Sequence, residues 1–230
     1  TVWYISKDEP TEHKLDYYEN TYKISAIVAD EVAQWQSAAV ELSLPQVNRL
    51  MPESFALKHN EKMAKPQQVS AEAGIEAWLY PSQQFASQPR GVLEIFINSD
   101  MVQQQVKAKV ALALWRDLYN LQQSALATEA DIAGMQLRLS DGNGLALTVS
   151  GFTDKQPQLL QQALASLAIS VDEQGFAQAK DRFIRGVQNQ SKQFPFQQAF
   201  LAYNSLVRSG NYDTDTMVNA AQNLTLAELQ

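Results

Sequence analysis

Met135-Gln136-Leu137-Arg138-Leu139-Ser140, then Asp141-Gly142-Asn143-Gly144, then Leu145-Ala146-Leu147-Thr148-Val149-Ser150-Gly151 is the stretch that decides the fold of this 230-residue chain. The flanks carry apolar residues at alternate positions, the period of a strand with one buried face. Asn and Gly between them tolerate the positive φ angles that hairpin turns require. The stretch therefore predicts an antiparallel β-hairpin.

Helical spacing surrounds it. After the hairpin, Thr153 is read as the cap of a helix through Leu159, Leu160, Ala163, Leu164 and Leu167. Asp172 caps a second through Phe176, Ala179, Phe183 and Val187, and Pro195 opens a third through Phe200, Tyr203 and Val207 that ends at Gly210. Steps of three and four residues place each set on one helix face. Before the hairpin, Glu76–Tyr80 and Gly91–Asn98 read as strands, the second with Leu93, Ile95 and Ile97 on one face, joined by a loop from Pro81 to Pro89. Ser99 or Asp100 caps a long helix with the stripe Val102, Val106, Val110, Leu114 and Leu118, and a shorter helix covers Leu121–Ala133. Strands first, then helices, a hairpin and more helices give an α+β fold, a mostly antiparallel sheet with helices packed on one face.

The N-terminal part reads differently. Val2–Ile5 and Tyr22–Ile27 are expected strands, Lys7–Asp16 an exposed loop, and Asp30 the cap of a helix through Val32, Trp35 and Gln36. Pro45 and Pro52 interrupt Leu42–Asn60, and Lys58–Ala73 is polar and turn-rich, the stretch expected to be most mobile. The expected division is 1–41 as the end of a preceding domain, 42–73 as an extended inter-domain connector, and 74–230 as an α+β domain truncated at its C-terminus. Thr225-Leu226-Ala227-Glu228 has the form of a capping box, yet the sequence ends at Gln230, so it is expected to come from a longer protein.

Composition excludes several functions. The net charge of -7 disfavours nucleic acid and anionic membrane surfaces as partners. With no cysteine there is no thiolate nucleophile, cysteine zinc site or disulfide. No apolar run reaches the roughly 20 residues needed to span a bilayer.

Each candidate for chemistry has a plainer reading. His13 lies in Glu12-His13-Lys14-Leu15-Asp16 and His59 in Lys58-His59-Asn60-Glu61, neither with the spacing of a zinc-protease helix. A zinc site of His13, Glu12 and Asp16 is conceivable, although the composition is that of a solvated loop. Asp141-Gly142-Asn143-Gly144 lacks the later acidic ligands and closing Glu of a calcium loop. Lys180, Arg182 and Arg185, interrupted by Asp181, form a basic helical face that is either solvated or a phosphate site. Trp3, Trp35, Trp78 and Trp115 all fall in predicted elements, where core packing accounts for them. No catalytic and no metal-ligating residue is assigned.

Several stretches nonetheless share one resemblance. Tyr22-Lys23-Ile24, Trp35-Gln36, Leu44-Pro45-Gln46-Val47-Asn48 and Pro52-Glu53-Ser54-Phe55-Ala56-Leu57 come in that order. Tyr80-Pro81-Ser82, Phe85-Ala86-Ser87-Gln88-Pro89, Gly134–Gly151 and Thr153-Asp154-Lys155-Gln156-Pro157-Gln158-Leu159-Leu160 continue it. Collinear over nearly the whole chain, they resemble the pitrilysin/insulysin (insulinase) family of zinc metalloendopeptidases, its bacterial pitrilysin branch most of all. The resemblance implies four homologous α+β domains closing around a chamber, with the zinc held by an H-x-x-E-H helix of the first domain. It places this chain at the end of the second domain and over most of the third, so the zinc would lie outside it. The fourth domain of such enzymes contributes an Arg and a Tyr to substrate; the equivalent positions here are Thr128 and Met135, which cannot take those roles.

The resulting expectation is a non-catalytic piece of a zinc-dependent peptidase, itself inactive, contributing chamber wall and inter-domain packing. Its expected partners are the other domains of the same polypeptide and peptide substrates, and its location is periplasmic by resemblance. The alternative is part of a catalytically inactive binding or assembly subunit of the same family.

Overall fold

The hairpin forms where the sequence places it. In the computed structural model, which describes residues 1–38, 43–58 and 61–229, strands β6 (Gln136–Asp141) and β7 (Gly144–Phe152) pair antiparallel across Gly142-Asn143. The backbone N–H of Ser99 donates to the Asn143 carbonyl at 3.1 Å and ties the turn to the start of the next helix. On its other edge β7 pairs with β5 (Arg90–Asn98) in an unbroken register from Arg90–Phe152 to Asn98–Gly144. The three-stranded order is β5-β7-β6, with β7 in the centre.

Register gives each sheet face its chemistry. Leu93, Ile95 and Ile97 lie in cross-strand rows with Val149, Leu147 and Leu145, and with Leu137 and Leu139 beyond them. Helices cover this face. The opposite face carries Val92, Glu94 and Phe96 beside Ser150, Thr148 and Ala146, and then Gln136, Arg138 and Ser140.

Chain elements are otherwise α1 (Ala29–Ser37), α2 (Asp100–Gln104), α3 (Val106–Gln122), α4 (Ser124–Ile132), α5 (Gln156–Ala165), α6 (Glu173–Asn189), α7 (Pro195–Val207), α8 (Thr214–Gln222) and α9 (Leu226–Leu229). Val110, Leu114 and Leu118 of α3 are buried against Phe176 and Ala179 of α6 and Ala221 and Leu224 at the end of α8. Tyr119, Leu139, Leu147 and Ala163 join α3 and α5 to the sheet, and the Tyr119 hydroxyl donates to the Ala163 carbonyl at 2.9 Å. Burial raises the Tyr119 pKa, so the phenol stays protonated where it donates.

The chain divides into two compact units, Thr1–Gln46 and Val47–Gln230. The first contains a hairpin of β1 (His13–Lys14) and β2 (Thr21–Tyr22) and helix α1, with no buried side chain among its described residues. The expected strand Val2–Ile5 is absent, and of the expected Tyr22–Ile27 only Tyr22 is strand, as the end of β2. An alternating pattern needs a neighbouring edge, and the described residues supply none there. Asp30 lies in the first turn of α1, while Val28 occupies the cap.

Other local readings also shift. The stripe Val102–Leu118 belongs to two helices because Gln105 is extended (φ -125, ψ 115). Lys155, not Thr153, precedes α5; the Thr153 hydroxyl instead donates to Pro89 O at 3.4 Å. The polar stretch before Ala73 contains strand β3 (Gln67–Glu72), paired with β4 (Ile75–Leu79). Leu50, in the predicted connector, is fully buried with Ala130, Met135, Val149 and Leu159. Polar contacts hold that segment down: Asn48 Nδ2 donates to Glu129 O at 2.7 Å, and the N–H groups of Glu53 and Ser54 donate to Asp154 Oδ2 at 3.0 and 3.2 Å. The residues around 41 and 42, where the first expected boundary falls, lie outside the described residues. Of the tryptophans only Trp115 is in the packing, stacked on Tyr119 with centroids 5.5 Å apart. Trp3, Trp35 and Trp78 are exposed, with no covering apolar surface among the described residues.

Glycine at 151 is a steric requirement. Its φ is +122°, and a Cβ would sit 2.7 Å from Met135 Cα and 2.9 Å from Gly134 O, both backbone atoms. A Cβ at Gly142 would meet nothing within 4 Å. Gly151→Ala is expected to cost about 2–4 kcal/mol and Gly142→Ala less than about 0.5 kcal/mol, read from urea midpoints.

Near the C-terminus one arm of the capping box forms, the Thr225 N–H donating to Glu228 Oε2 at 3.0 Å, while the Thr225 hydroxyl donates to the same oxygen at 2.9 Å. Lys107 of α3 pairs with the same carboxylate and is the largest cause of its pKa falling from 4.5 to about 2. A depressed carboxyl pKa stabilises the fold fully above the unfolded value and progressively less as pH falls towards the folded one. The clasp between α3 and α9 should therefore loosen between pH 4.5 and about 2. Lys107→Ala should move the Glu228 midpoint, followed by carboxyl NMR, back towards 4.5.

Candidate functional site

A groove runs along strands β4 and β5. Among the described residues β4 pairs only with β3, and β5 only with β7, so each has one edge without a hydrogen-bonded neighbour. The cavity lined by both strands has a volume of about 1830 Å³. Ile75, Trp78, Tyr80, Phe85, Val92 and Phe96 line it, and all six are more than half exposed.

The fold positions the groove from below. Arg90 begins β5, donating from Nη2 to Gly134 O at 2.8 Å with its guanidinium 4.7 Å from the Phe152 ring centroid. Gln156 of α5, nearly buried, donates from Nε2 to Gly91 O at 2.6 Å. The loop between the strands is tied by Thr153 N–H to Pro89 O at 3.1 Å and by Met63 N–H to Pro81 O at 3.0 Å. What the groove offers is main-chain donors and acceptors with apolar flanks, a surface for extended backbone.

Among the described residues, none of the side chains singled out from the sequence for zinc or phosphate chemistry lines the groove. His13 lies in the β1–β2 hairpin with its ring 5.3 Å from Tyr22, and Glu12 pairs with Lys23 at 2.9 Å. His59 lies outside the described residues. Among the described residues no group of three His, Cys, Asp or Glu side chains could hold a metal ion, so they do not fit the zinc of the resembled family. Lys180 donates to Gln222 O and Leu224 O at 2.7 and 3.0 Å, closing α6 onto the end of α8. Arg182 bonds Asp117 at 2.7 Å and Arg185 bonds Asp181 at 2.6 Å. The basic face is thus engaged in ion pairs and carbonyl contacts.

Shifted carboxylates mark structure here. Asp154 is held below its ordinary range first by the Glu53 N–H, Asp213 first by the Thr216 N–H, and Glu228 first by Lys107. Lys109, lowered by burial, donates to Gly210 O. None of these groups lines the groove.

Comparison with known proteins now adds the family. Residues 1–220 match the family described as the middle or third domain of peptidase M16, and the chain belongs to that family. It is 27% identical over 232 residues to Protease 3 of Escherichia coli K12 (99% of this chain, 24% of that protein). It is 26% identical over 227 residues to insulin-degrading enzyme of Homo sapiens (96% of this chain, 22% of that protein). Among solved structures, pitrilysin matches with a TM-score of 0.80 and 27% identity, covering 99% of this chain and 25% of that one. The chain spans about a quarter of the length of these relatives, as a middle domain of a family peptidase does.

Thr128 and Met135 remain to be placed. Thr128 is exposed on α4, its hydroxyl donating to Ser124 O at 2.8 Å, whereas Met135 is fully buried in the cluster with Leu50, Val149 and Leu159. Met135→Ala is expected to cost about 2–5 kcal/mol of unfolding free energy as a core truncation. Thr128→Ala should stay within about 0.5 kcal/mol. Equal, small effects in urea titrations would contradict this placement.

Proposed function

We propose that this chain serves as a non-catalytic internal domain of a zinc-dependent metalloendopeptidase, contributing a wall of the chamber that encloses peptide substrates and a packing surface for the other domains. In this reading residues 1–41 end the preceding domain, 42–73 connect, and 74–230 form most of the third domain. The zinc belongs to another domain of the parent, and neither a catalytic nor a metal-binding residue is assigned to this chain. The periplasm is the compartment the family resemblance suggests. Among the described residues, no helix is long and apolar enough to cross a membrane.

One observation carries the packing role. Helix α7 presents Phe196, Phe200, Tyr203, Leu206 and Val207, every one more than half exposed. An apolar helical face of that size left in water marks an interaction surface. Together with the family match and a span of about a quarter of its relatives, it supports a domain built to be covered by others.

Zinc content and peptide cleavage test the reading. The full-length parent should hold stoichiometric zinc and cleave short peptides, sparing folded proteins, in a chelator-sensitive way; the 230-residue chain should do neither. A zinc-free, inactive parent would replace it with the inactive binding or assembly subunit. Stoichiometric zinc in the isolated chain would make His13 or His59 a ligand and end the proposal. For the packing face, Phe200→Ser should cost the parent about 1.5–3 kcal/mol and the isolated chain less than about 0.5 kcal/mol. An unchanged parent would mean that α7 stays in water.

A further inference from the structure

The structure assigns a spontaneous modification site to the turn between β6 and β7: Asn143, whose side-chain carbon Cγ is attacked by the main-chain nitrogen of Gly144. The products are aspartate and isoaspartate at position 143, and the isoaspartate form loosens the hairpin on which the sheet is built. The site needs neither zinc nor peptidase activity.

Two reactive pairs stand side by side. Asp141-Gly142 and Asn143-Gly144 are the only places in the chain where Asp or Asn precedes glycine. Glycine puts no Cβ in the path of its own nitrogen, and asparagine is the thermolabile member because its amide can leave as ammonia. No other protein group is required. The Gly144 nitrogen loses its proton and bonds to Asn143 Cγ, the Cγ–Nδ2 bond breaks, and ammonia carries the proton away. One water then opens the resulting succinimide. Breaking the new bond to Cγ gives aspartate. Breaking the bond to the main-chain carbonyl carbon gives isoaspartate, with the chain rerouted through Cβ and Cγ.

Tertiary contacts select between the two pairs. The Asp141 side chain is 19% exposed and ion-paired with Arg116, which holds it as a carboxylate. The nitrogen it would need is also engaged, Gly142 N–H donating to Gly144 O at 2.9 Å. Asn143 is exposed, and among the described residues its side chain makes no hydrogen bond. The Gly144 N–H makes no return bond to Gly142 O. Ser99 N–H donates to Asn143 O, so Ser99–Asn143 is the hydrogen-bonded pair of the ladder and Asn98–Gly144 the unbonded one. The reacting nitrogen is therefore not held by β5 either.

The fold itself imposes the reactive neighbour. A Cβ at position 144 would collide with the Ile97 carbonyl, so the close approach of β5 requires glycine there. Asn143, by contrast, does not adopt the positive φ that asparagine tolerates better than most residues. Isoaspartate adds a carbon to the main chain at the residue whose carbonyl holds Ser99 and whose turn sets the β6–β7 offset. Aspartate leaves that length unchanged. Register is tightly specified where one sheet face is buried, so the two products differ in how well the hairpin holds.

Peptide mass analysis of the full-length parent, aged in neutral buffer, tests the site. The peptide containing Asn143-Gly144 should gain one mass unit, faster as pH rises. Fragmentation should show both products at 143 and unmodified Asp141. Conversion in the folded parent should be less than about a hundredfold slower than in a synthetic peptide of residues 139–148, since an exposed turn needs little opening. Asn143→Gln should abolish the mass gain. Once the products are separated, amides of β6 and β7 should exchange at least about tenfold faster in the isoaspartate form than in the aspartate form. Slowing by a hundredfold or more, isoaspartate at 141 in place of 143, a mass gain in this peptide that survives Asn143→Gln, or equal exchange in the two forms would each overturn the inference.

Discussion

The pairing of β7 with β5 on one side and β6 on the other is the constraint on which the larger unit depends. β7 carries Leu147 and Val149 into two of the three buried clusters, and every helix that covers the sheet packs on side chains whose facing its register sets. A slip of one residue would turn Leu145, Leu147 and Val149 to the outer face and bring Ala146, Thr148 and Ser150 against the helices. Two features guard against it. The Gly142-Asn143 turn sets the β6–β7 offset, and Gly151 lets Met135 approach β7 closely enough to enter the core.

From that strand outward, packing falls into a dry interior and a set of tethers. α3 is the hinge between clusters, sending Val110, Leu114 and Leu118 to α6 and α8 and Tyr119 to the sheet. The tethers are polar and local: Asp154 receives the chain at Glu53 and Ser54, and Gln156 holds the start of β5. These groups have the hydrogen-bonded, paired character usually sought in active sites, yet each accounts for the position of a chain segment. Perturbed carboxylates here mark architecture, which is the plainer of the two readings such shifts allow.

Much of the fold was legible in residue patterns, and the candidate site far less. The hairpin, the caps Ser99 and Asp172 and the stripes of α3 and α6 depend on neighbours within a few residues, where turn chemistry and helical spacing act directly. Strand β3, hidden in Gln67–Glu72, carries only Val69 and Ala71 among polar residues, an alternation too short to mark a strand. The groove between β4 and β5 had no signature at all, because an unpaired edge is a relation between strands far apart in space. The tryptophans erred in the opposite direction: their hydrophobicity promised burial, but burial needs a surface that the described residues do not provide for Trp3, Trp35 or Trp78.

By itself the sequence determined the α+β class, the central hairpin, most helices and the absence of cysteine chemistry, since these follow from local backbone preference, spacing and composition. Its collinear motifs also carried the family. Only the tertiary structure decided that Leu50 belongs to the core, that Met135 is a packing residue, that the α7 aromatic face is left exposed by this chain and that two strand edges lie open beside one groove among the described residues. The physical reason is range: a turn or a helix face is set by residues a few positions apart, whereas burial and edge pairing depend on which distant surfaces the folded chain brings together.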